Sequence, residues 1–224
     1  MTLYGVSVGA GDPEDMTVKA LRVIGECRVI AVPVTKGGAS AALDIAGKAA
    51  DLSGKEILYL DMPMTHDENR IRAAHEAAAE KLCGVLGSED AAMLCLGDVA
   101  LYSTFAYVAA LVKERGQEVM VRCIPGVCSP CAAADALGEP LVLGSEPLMV
   151  LPFGAEDFRE LLKTPCRRVI MKSGKSGGEV KRLLREYGLL ERACAVMNCG
   201  MSGEAVFRGA DIPDETGYFT VYIV

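Results

Sequence analysis

Short β-branched runs alternate with helix-patterned segments along almost the whole chain, and the first of these runs ends in a glycine-bearing loop that opens a helix. Alternation of this kind implies α/β layering with parallel strands, because each crossover helix has to cover a face of the sheet it connects. In the first half the spacing predicts strands over residues 3–8, 28–34, 56–60, 91–96 and 118–124. The run 91–96 is apolar throughout, as expected of a strand covered on both faces. Helices are predicted over 13–24, with Asp12 as N-cap and Pro13 as first residue, then over 41–50 and 68–86. A further helix is marked by Phe105, Val108, Ala109 and Val112, which recur at helical spacing. Pro125-Gly126 interrupts the pattern and marks a junction, giving an N-terminal α/β domain over 1–122 and a C-terminal one over 123–224. Beyond it, helices are predicted over 129–137, 155–163 and 178–187, and strands over 148–151, 167–171, 193–197, 204–208 and 219–224. Helices thin out toward the end, which implies a mixed sheet in the second half.

Charge narrows the function classes. Thirty acidic residues against 23 basic ones leave a net charge of −7, with no Lys/Arg cluster to neutralise phosphates. Trp is absent and Phe and Tyr are few, so neither the electrostatic nor the stacking surface of a nucleic-acid binder is present. No apolar run approaches the roughly 20 residues that span a bilayer. No basic segment precedes an apolar one at the N-terminus, so the expectation is a soluble cytoplasmic protein. The nine cysteines are scattered and odd in number, in keeping with reduced, packed thiols. Only Cys128-x-x-Cys131 has metal or redox spacing, and no second pair accompanies it, so no metal site is expected.

Three loops carry the chemistry-bearing residues. Gly9-Ala10-Gly11-Asp12-Pro13 begins like a dinucleotide fingerprint but has Glu14 where the third glycine belongs, and no Gly-Lys-Ser/Thr closes any of the three as a Walker loop. Gly97-Asp98-Val99-Ala100-Leu101-Tyr102-Ser103-Thr104 brings two hydroxyls to a helix start, where they can cap it or hold a ligand carboxylate. Asp98 there is a poor packing residue directly after a buried strand, and a carboxylate so placed answers to a positive group or to orphan N–H groups. Pro125-Gly126-Val127-Cys128-Ser129 is the third. Such loops gather outside the carboxyl ends of parallel strands, where helix N-termini offer free N–H groups to anions.

These residues resemble the S-adenosylmethionine-dependent tetrapyrrole methyltransferases of cobalamin biosynthesis. The stretch Tyr4-Gly5-Val6-Ser7-Val8-Gly9-Ala10-Gly11-Asp12-Pro13 with Thr17-x-Lys19-Ala20 is similar to the family's opening signature, and Gly97-Asp98-x-x-Leu101-Tyr102 to its second. Tyr102-Ser103-Thr104, Pro63-Met64-Thr65-x-Asp67, Ile124-Pro125-Gly126-Val127, Met171-Lys172 and Asn198-Cys199-Gly200-Met201 resemble the branch that methylates C20. The resemblance covers the chain in order. It implies a two-domain tetrapyrrole methylase fold with the methyl donor in the cleft between domains, a homodimer, and methylation of C20 of cobalt-precorrin-2 (cobalt-factor II) or precorrin-2. It also implies that Gly97, Asp98, Val99, Leu101 and Tyr102 lie along S-adenosylmethionine, that Ser103 and Thr104 hold its methionine end, and that Met171, Asn198 and Cys199 frame its adenosine, with Cys128 at a further donor position. Gly9, Gly11, Asp12 and Pro13 would face the tetrapyrrole. Ala10 and Val99 stand where the family often has proline, and Cys128 where it often has Thr or Ser.

Methyl transfer from a sulfonium needs in-line approach more than acid–base help, and C20 of an electron-rich tetrapyrrole is already nucleophilic. Asp98 and Tyr102 are the candidates for assisting proton loss. The implied substrate is rich in carboxylates while the protein is acidic, so binding has to rest on a local basic group, with Lys36, Arg70, Lys172 and Lys175 as candidates. His66, in the loop before the long helix, is a candidate to approach substrate or cobalt, whereas His75 lies on that helix's apolar face and reads as a packed core residue; neither has a second metal ligand near it in sequence. A sister methyltransferase acting at another ring position, a non-catalytic tetrapyrrole-binding protein and, more distantly, a nicotinamide oxidoreductase are the alternatives.

Overall fold

The computed structural model describes residues 1–35, 38–115 and 118–224, and the chain divides into two compact units, 1–128 and 129–224. Lys36 lies outside the described residues.

The first unit holds five strands, β1 (Thr2–Ser7), β2 (Val29–Val34), β3 (Glu56–Asp61), β4 (Ala91–Cys95) and β5 (Met120–Ile124). All pair in parallel, in the order β3-β2-β4-β1-β5. Every residue of β4 is buried, as its unbroken apolarity implies for a central strand. The helices are α1 (Val18–Glu26), α2 (Ala41–Ala49), α3 (Glu68–Leu86) and α4 (Phe105–Glu114). The predicted domain limit after residue 122 falls inside β5, whose Cys123 and Ile124 pair with Gly5 and Val6.

Topology decides where a ligand can sit. The chain leaves β1 toward β2 on one side, and leaves β4 toward β5 on the other. Because such crossovers are right-handed, opposite directions put the following helices on opposite faces. On one face α3 and α4 bury Ala78, Leu82, Phe105, Val108 and Val112 against β1, β2 and β4. Helices α1 and α2 bury Val23, Ile24, Ile45 and Ala46. Strands β4 and β1 are neighbours whose following connections pass to opposite faces of the sheet, so the switch point lies between them.

One predicted helix is two elements. Asp12 does act as a cap, accepting from Glu14 N at 2.8 Å, but only for a single 3-10 turn, Pro13–Asp15. Met16 is extended and 7% exposed, so the backbone turns to bury its side chain. Thr17 then caps α1, accepting from Ala20 N at 3.1 Å.

The second unit begins with α5 (Ser129–Leu137), followed by β6 (Leu148–Pro152), α6 (Phe158–Leu161), β7 (Arg167–Met171), α7 (Gly177–Glu186), β8 (Cys194–Met197), β9 (Ala205–Arg208) and β10 (Thr220–Ile223). Its sheet runs β6-β7-β10-β8-β9 and is mixed, with only β6 and β7 parallel. Strand β10 is buried along its whole length. Leu151, Phe158, Ile170, Leu183, Leu184 and Tyr222 form the core beneath α6 and α7. The fully buried Arg168 shares this unit and donates to the Thr164 carbonyl. Helix α6 is much shorter than the predicted 155–163, because Asp157 takes a left-handed φ of 58° and breaks the helical path before Phe158.

Candidate functional site

Three loops of the first unit meet at the carboxyl edge of its sheet, and hydrogen bonds tie them into one piece. Past the end of β1, Val8 N donates to Cys95 O at 2.9 Å. Gly9 and Gly97 then exchange bonds: Gly97 N to Gly9 O at 2.7 Å and Gly9 N to Gly97 O at 3.3 Å. Both glycines have positive φ, 79° and 72°, which the reciprocal turn requires and which glycine adopts without penalty. The hydroxyl of Ser7, wholly buried, accepts from Val99 N at 2.8 Å.

Asp98 joins the second loop to the third. Its Oδ1 accepts from Ala100 N and its Oδ2 from Gly126 N, each at 2.7 Å. The carboxylate thus answers to backbone N–H groups, one of the two partners its position implied. Gly126 is required by the close approach, since a Cβ there would lie 2.5 Å from Ser7 Cβ and 3.3 Å from Gly97 O. The start of α1 also meets the third loop, through Thr17 Oγ1 donating to Pro125 O at 3.4 Å.

The two hydroxyls at the start of α4 divide their work. Ser103 Oγ accepts from Phe105 N at 3.2 Å, whereas Thr104 sits in helical conformation and its side chain forms no cap. Phe105 anchors the helix, its ring lying where a Cβ on Gly5 would come within 2.7 Å. Behind the loop, burial pushes the Cys95 thiol up to about 12, with Ser103 hydrogen-bonded to it. Tyr102 is 41% exposed and holds a left-handed φ of 52°, an uncommon conformation for a bulky residue. At Gly97 a Cβ would enter open space, so the bare backbone there leaves room for a ligand to come close.

The sequence-derived residues of the first unit are therefore gathered: Gly9, Gly11, Asp12 and Pro13 in the first loop, Gly97 to Thr104 in the second, Cys128 after Gly126 in the third. In the second unit, β7 and β8 are both antiparallel to β10, so their carboxyl ends share one edge. Met171 closes β7, and Lys172 after it has φ 59°. Asn198 follows β8 with φ 52°; its backbone N donates to Phe219 O at 2.8 Å and its Nδ2 to Gly203 O at 3.3 Å. Cys199 beside it is buried. Sequence reasoning missed the left-handed turns at Tyr102, Lys172 and Asn198, of which only Asn carries a local signal for that conformation.

No disulfide joins any of the nine cysteines, Cys128 and Cys131 included, and no cluster of three or more His, Cys, Asp or Glu with metal-holding geometry occurs among the described residues. His75 stacks on Tyr107 with ring centroids 5.3 Å apart, a packing role on α3. No helix among the described residues is long and apolar enough to cross a membrane.

The glycine turns knitted across the switch point leave bare backbone at the edge where open α/β sheets hold their ligands. Residues 2–210 match the tetrapyrrole (corrin/porphyrin) methylases, and the chain belongs to that family. It is 41% identical over 172 residues to a probable cobalt-precorrin-2 C(20)-methyltransferase of Methanocaldococcus jannaschii, covering 76% of this chain and 72% of that one. It is 30% identical over 237 residues to a precorrin-2 C(20)-methyltransferase of a Sinorhizobium species, covering 99% and 94%. In fold it is similar to the uroporphyrin-III C-methyl transferase of Thermus thermophilus crystallised with S-adenosyl homocysteine, at a TM-score of 0.70 and 19% identity over 100% of this chain and 96% of that one.

Proposed function

We propose that this chain transfers the methyl group of S-adenosylmethionine to C20 of cobalt-precorrin-2 or precorrin-2 in cobalamin biosynthesis, as a cytoplasmic homodimer. The observation that carries this reading is the 41% identity to the Methanocaldococcus protein, joined to a second loop whose open Gly97 backbone and uncommitted Thr104 side chain suit a donor lying along it.

S-adenosylmethionine supplies an electrophilic methyl group: the C–S bond breaks as a C–C bond forms at C20, which then loses its proton. The protein's task is alignment, since holding the reacting atoms about 3–3.5 Å apart and in line supplies much of the acceleration. Residues Gly97, Val99, Leu101 and Tyr102 line the donor in this reading, Ser103 and Thr104 hold its methionine end, and Met171, Asn198, Cys199 and Cys128 contact the remainder. Gly9, Gly11, Asp12 and Pro13 face the macrocycle. Because both oxygens of Asp98 already accept backbone N–H groups, we assign it to positioning the second and third loops. Tyr102 is then the residue left to assist proton loss.

The deciding experiment is transfer of labelled methyl to precorrin-2, with and without cobalt, with product regiochemistry by NMR. New methyl at C20 is the expected result. Methyl at another ring carbon would make the chain a sister methyltransferase. Tetrapyrrole binding without donor binding in calorimetry would make it a carrier. Sedimentation at micromolar concentration tests the dimer.

A further inference from the structure

A cavity of about 850 Å³ opens in the first unit at the far side of the same sheet edge, where β2 and β3 end against α3. Its size is that of a pocket for an organic ligand of several hundred daltons. The walls are apolar: Val34 and Leu60 from the strands, Met62 and Met64 from the loop after β3, and Ala74, Ala77 and Ala78 from α3. Alanines at that helical spacing keep the α3 wall low, and Met64 is 61% exposed.

Two cations line this cavity among the described residues, and they differ. Lys81 is committed, its ammonium donating to Tyr59 O at 2.9 Å on the edge strand. Arg70 is held by its backbone, whose N–H donates to the α3 cap Asp67 at 3.2 Å, while its guanidinium forms no ion pair or hydrogen bond with the described residues. Asp61 lines the same cavity and does not pair with Arg70, so the guanidinium's charge is not neutralised from within. By contrast Arg72, two residues on, pairs with Glu76 at 3.8 Å. An uncommitted guanidinium at the rim of an apolar pocket suits a flat apolar body carrying a carboxylate, which Arg can bind through two parallel N–H groups.

We propose that this cavity receives one carboxylate-bearing edge of the tetrapyrrole, with Arg70 binding the carboxylate and Met62 and Met64 lying against the pyrrole edge. The proposal deepens the function proposed above and rests on it. Geometry on the sheet supports the reach: β3 stands three strand spacings from β1, about 14 Å at roughly 4.8 Å each. A macrocycle facing the Gly9 loop at β1, with acetate and propionate arms on its rim, spans a distance of that order. The arrangement also answers the protein's net negative charge. A single local guanidinium in an apolar setting outweighs long-range repulsion that salt screens within about 8 Å at physiological ionic strength.

The test pairs kinetics with equilibrium binding. In C20 methylation, Arg70→Ala is expected to raise KM for the tetrapyrrole on the order of ten- to hundredfold, the loss of a charged hydrogen-bonded contact, with kcat within a few-fold and KM for the donor unchanged. Arg70→Lys is expected to recover part of the loss, and Ala77→Phe, which fills the cavity without altering charge, to raise the same KM. Arg72→Ala serves as the control for simple loss of positive charge. The binding arm titrates uroporphyrin III, an octacarboxylic tetrapyrrole, by absorbance, and should show the same order of affinities. If Arg70→Ala behaves like Arg72→Ala in both arms, the cavity assignment is overturned while C20 methylation by the unaltered chain keeps the proposed function. If the unaltered chain methylates nothing, the function falls, and the titration alone decides whether Arg70 holds a tetrapyrrole.

Discussion

Asp98 Oδ2 accepts the backbone N–H of Gly126 at 2.7 Å, across 28 residues of sequence. The other oxygen holds Ala100 N at the same distance, so one side chain fixes the conformation of one loop and the position of the next. Replacing Asp98 with Asn leaves one of the two N–H groups facing an amide NH₂ instead of an acceptor. The expected cost is about 1–3 kcal/mol, the usual penalty for an orphaned donor. For a chain of this size that lowers Tm by roughly 2–4 °C per kcal/mol. Donor affinity should fall with it. Single-turnover methylation at saturating donor should stay within a few-fold, whereas loss of a general base would cost about 10²–10⁴. Rapid-quench measurement separates the two.

Gly126 has no room for a side chain. Gly126→Ala should cost about 1–3 kcal/mol or more through overpacking against Ser7 Cβ. Adding Ser7→Gly removes the atom in the way and should restore part of that loss, but not all, because Val99 N then loses its acceptor. Thermal denaturation of the two single variants and the double variant measures the coupling. Strict additivity would show that the two positions do not touch.

Ser103 and Thr104 predict a split between stability and binding. Ser103→Ala removes the acceptor for Phe105 N and should destabilise by about 0.5–2 kcal/mol, the range for lost caps. Thr104→Ala removes no cap and should leave Tm within a degree or so of the unaltered chain. If both hydroxyls hold the donor's methionine end, calorimetry with S-adenosylmethionine should show weakened binding in each. A Thr104→Ala variant with unchanged donor affinity would remove that residue from the donor site.

The cysteines should react in order of exposure. Burial pushes Cys95 up to about 12 and Cys27 to about 11, and only the thiolate is alkylated. With iodoacetamide at pH 8, Cys123, exposed on the edge strand β5, should be modified within minutes, and Cys95 and Cys27 only after denaturation. Raising the pH toward 9 should leave the buried pair unlabelled, because both stay protonated in the folded chain. Peptide mass spectrometry reads each site separately.

Much of this architecture was legible in the residues. Helix α3 is predicted and observed over the same span, because Asp67 can cap it and its alanines and leucines keep one face. The unbroken apolarity of β4 announced a fully buried strand. Strand order was not legible: nothing in residues 91–95 says that β4 inserts between β2 and β1, since that depends on crossover handedness and on which helix faces match. The break at Met16 was hidden because Asp12-Pro13 is as good a start for one 3-10 turn as for a long helix, and only the burial of Met16 decides between them. In the site, the position of Asp98 after a buried strand pointed to orphan N–H groups, but the identity of Gly126 as partner is a tertiary fact. The cavity beside Arg70 was likewise invisible, because its walls come from segments separated by the fold.

The double exchange between Gly9 and Gly97 has a consequence for how such a chain can diverge. An added residue in either turn would pull both bonds out of step at once, so neither turn can change length alone. Variation is free to accumulate in the outer helices, while the two glycines are bound to travel together.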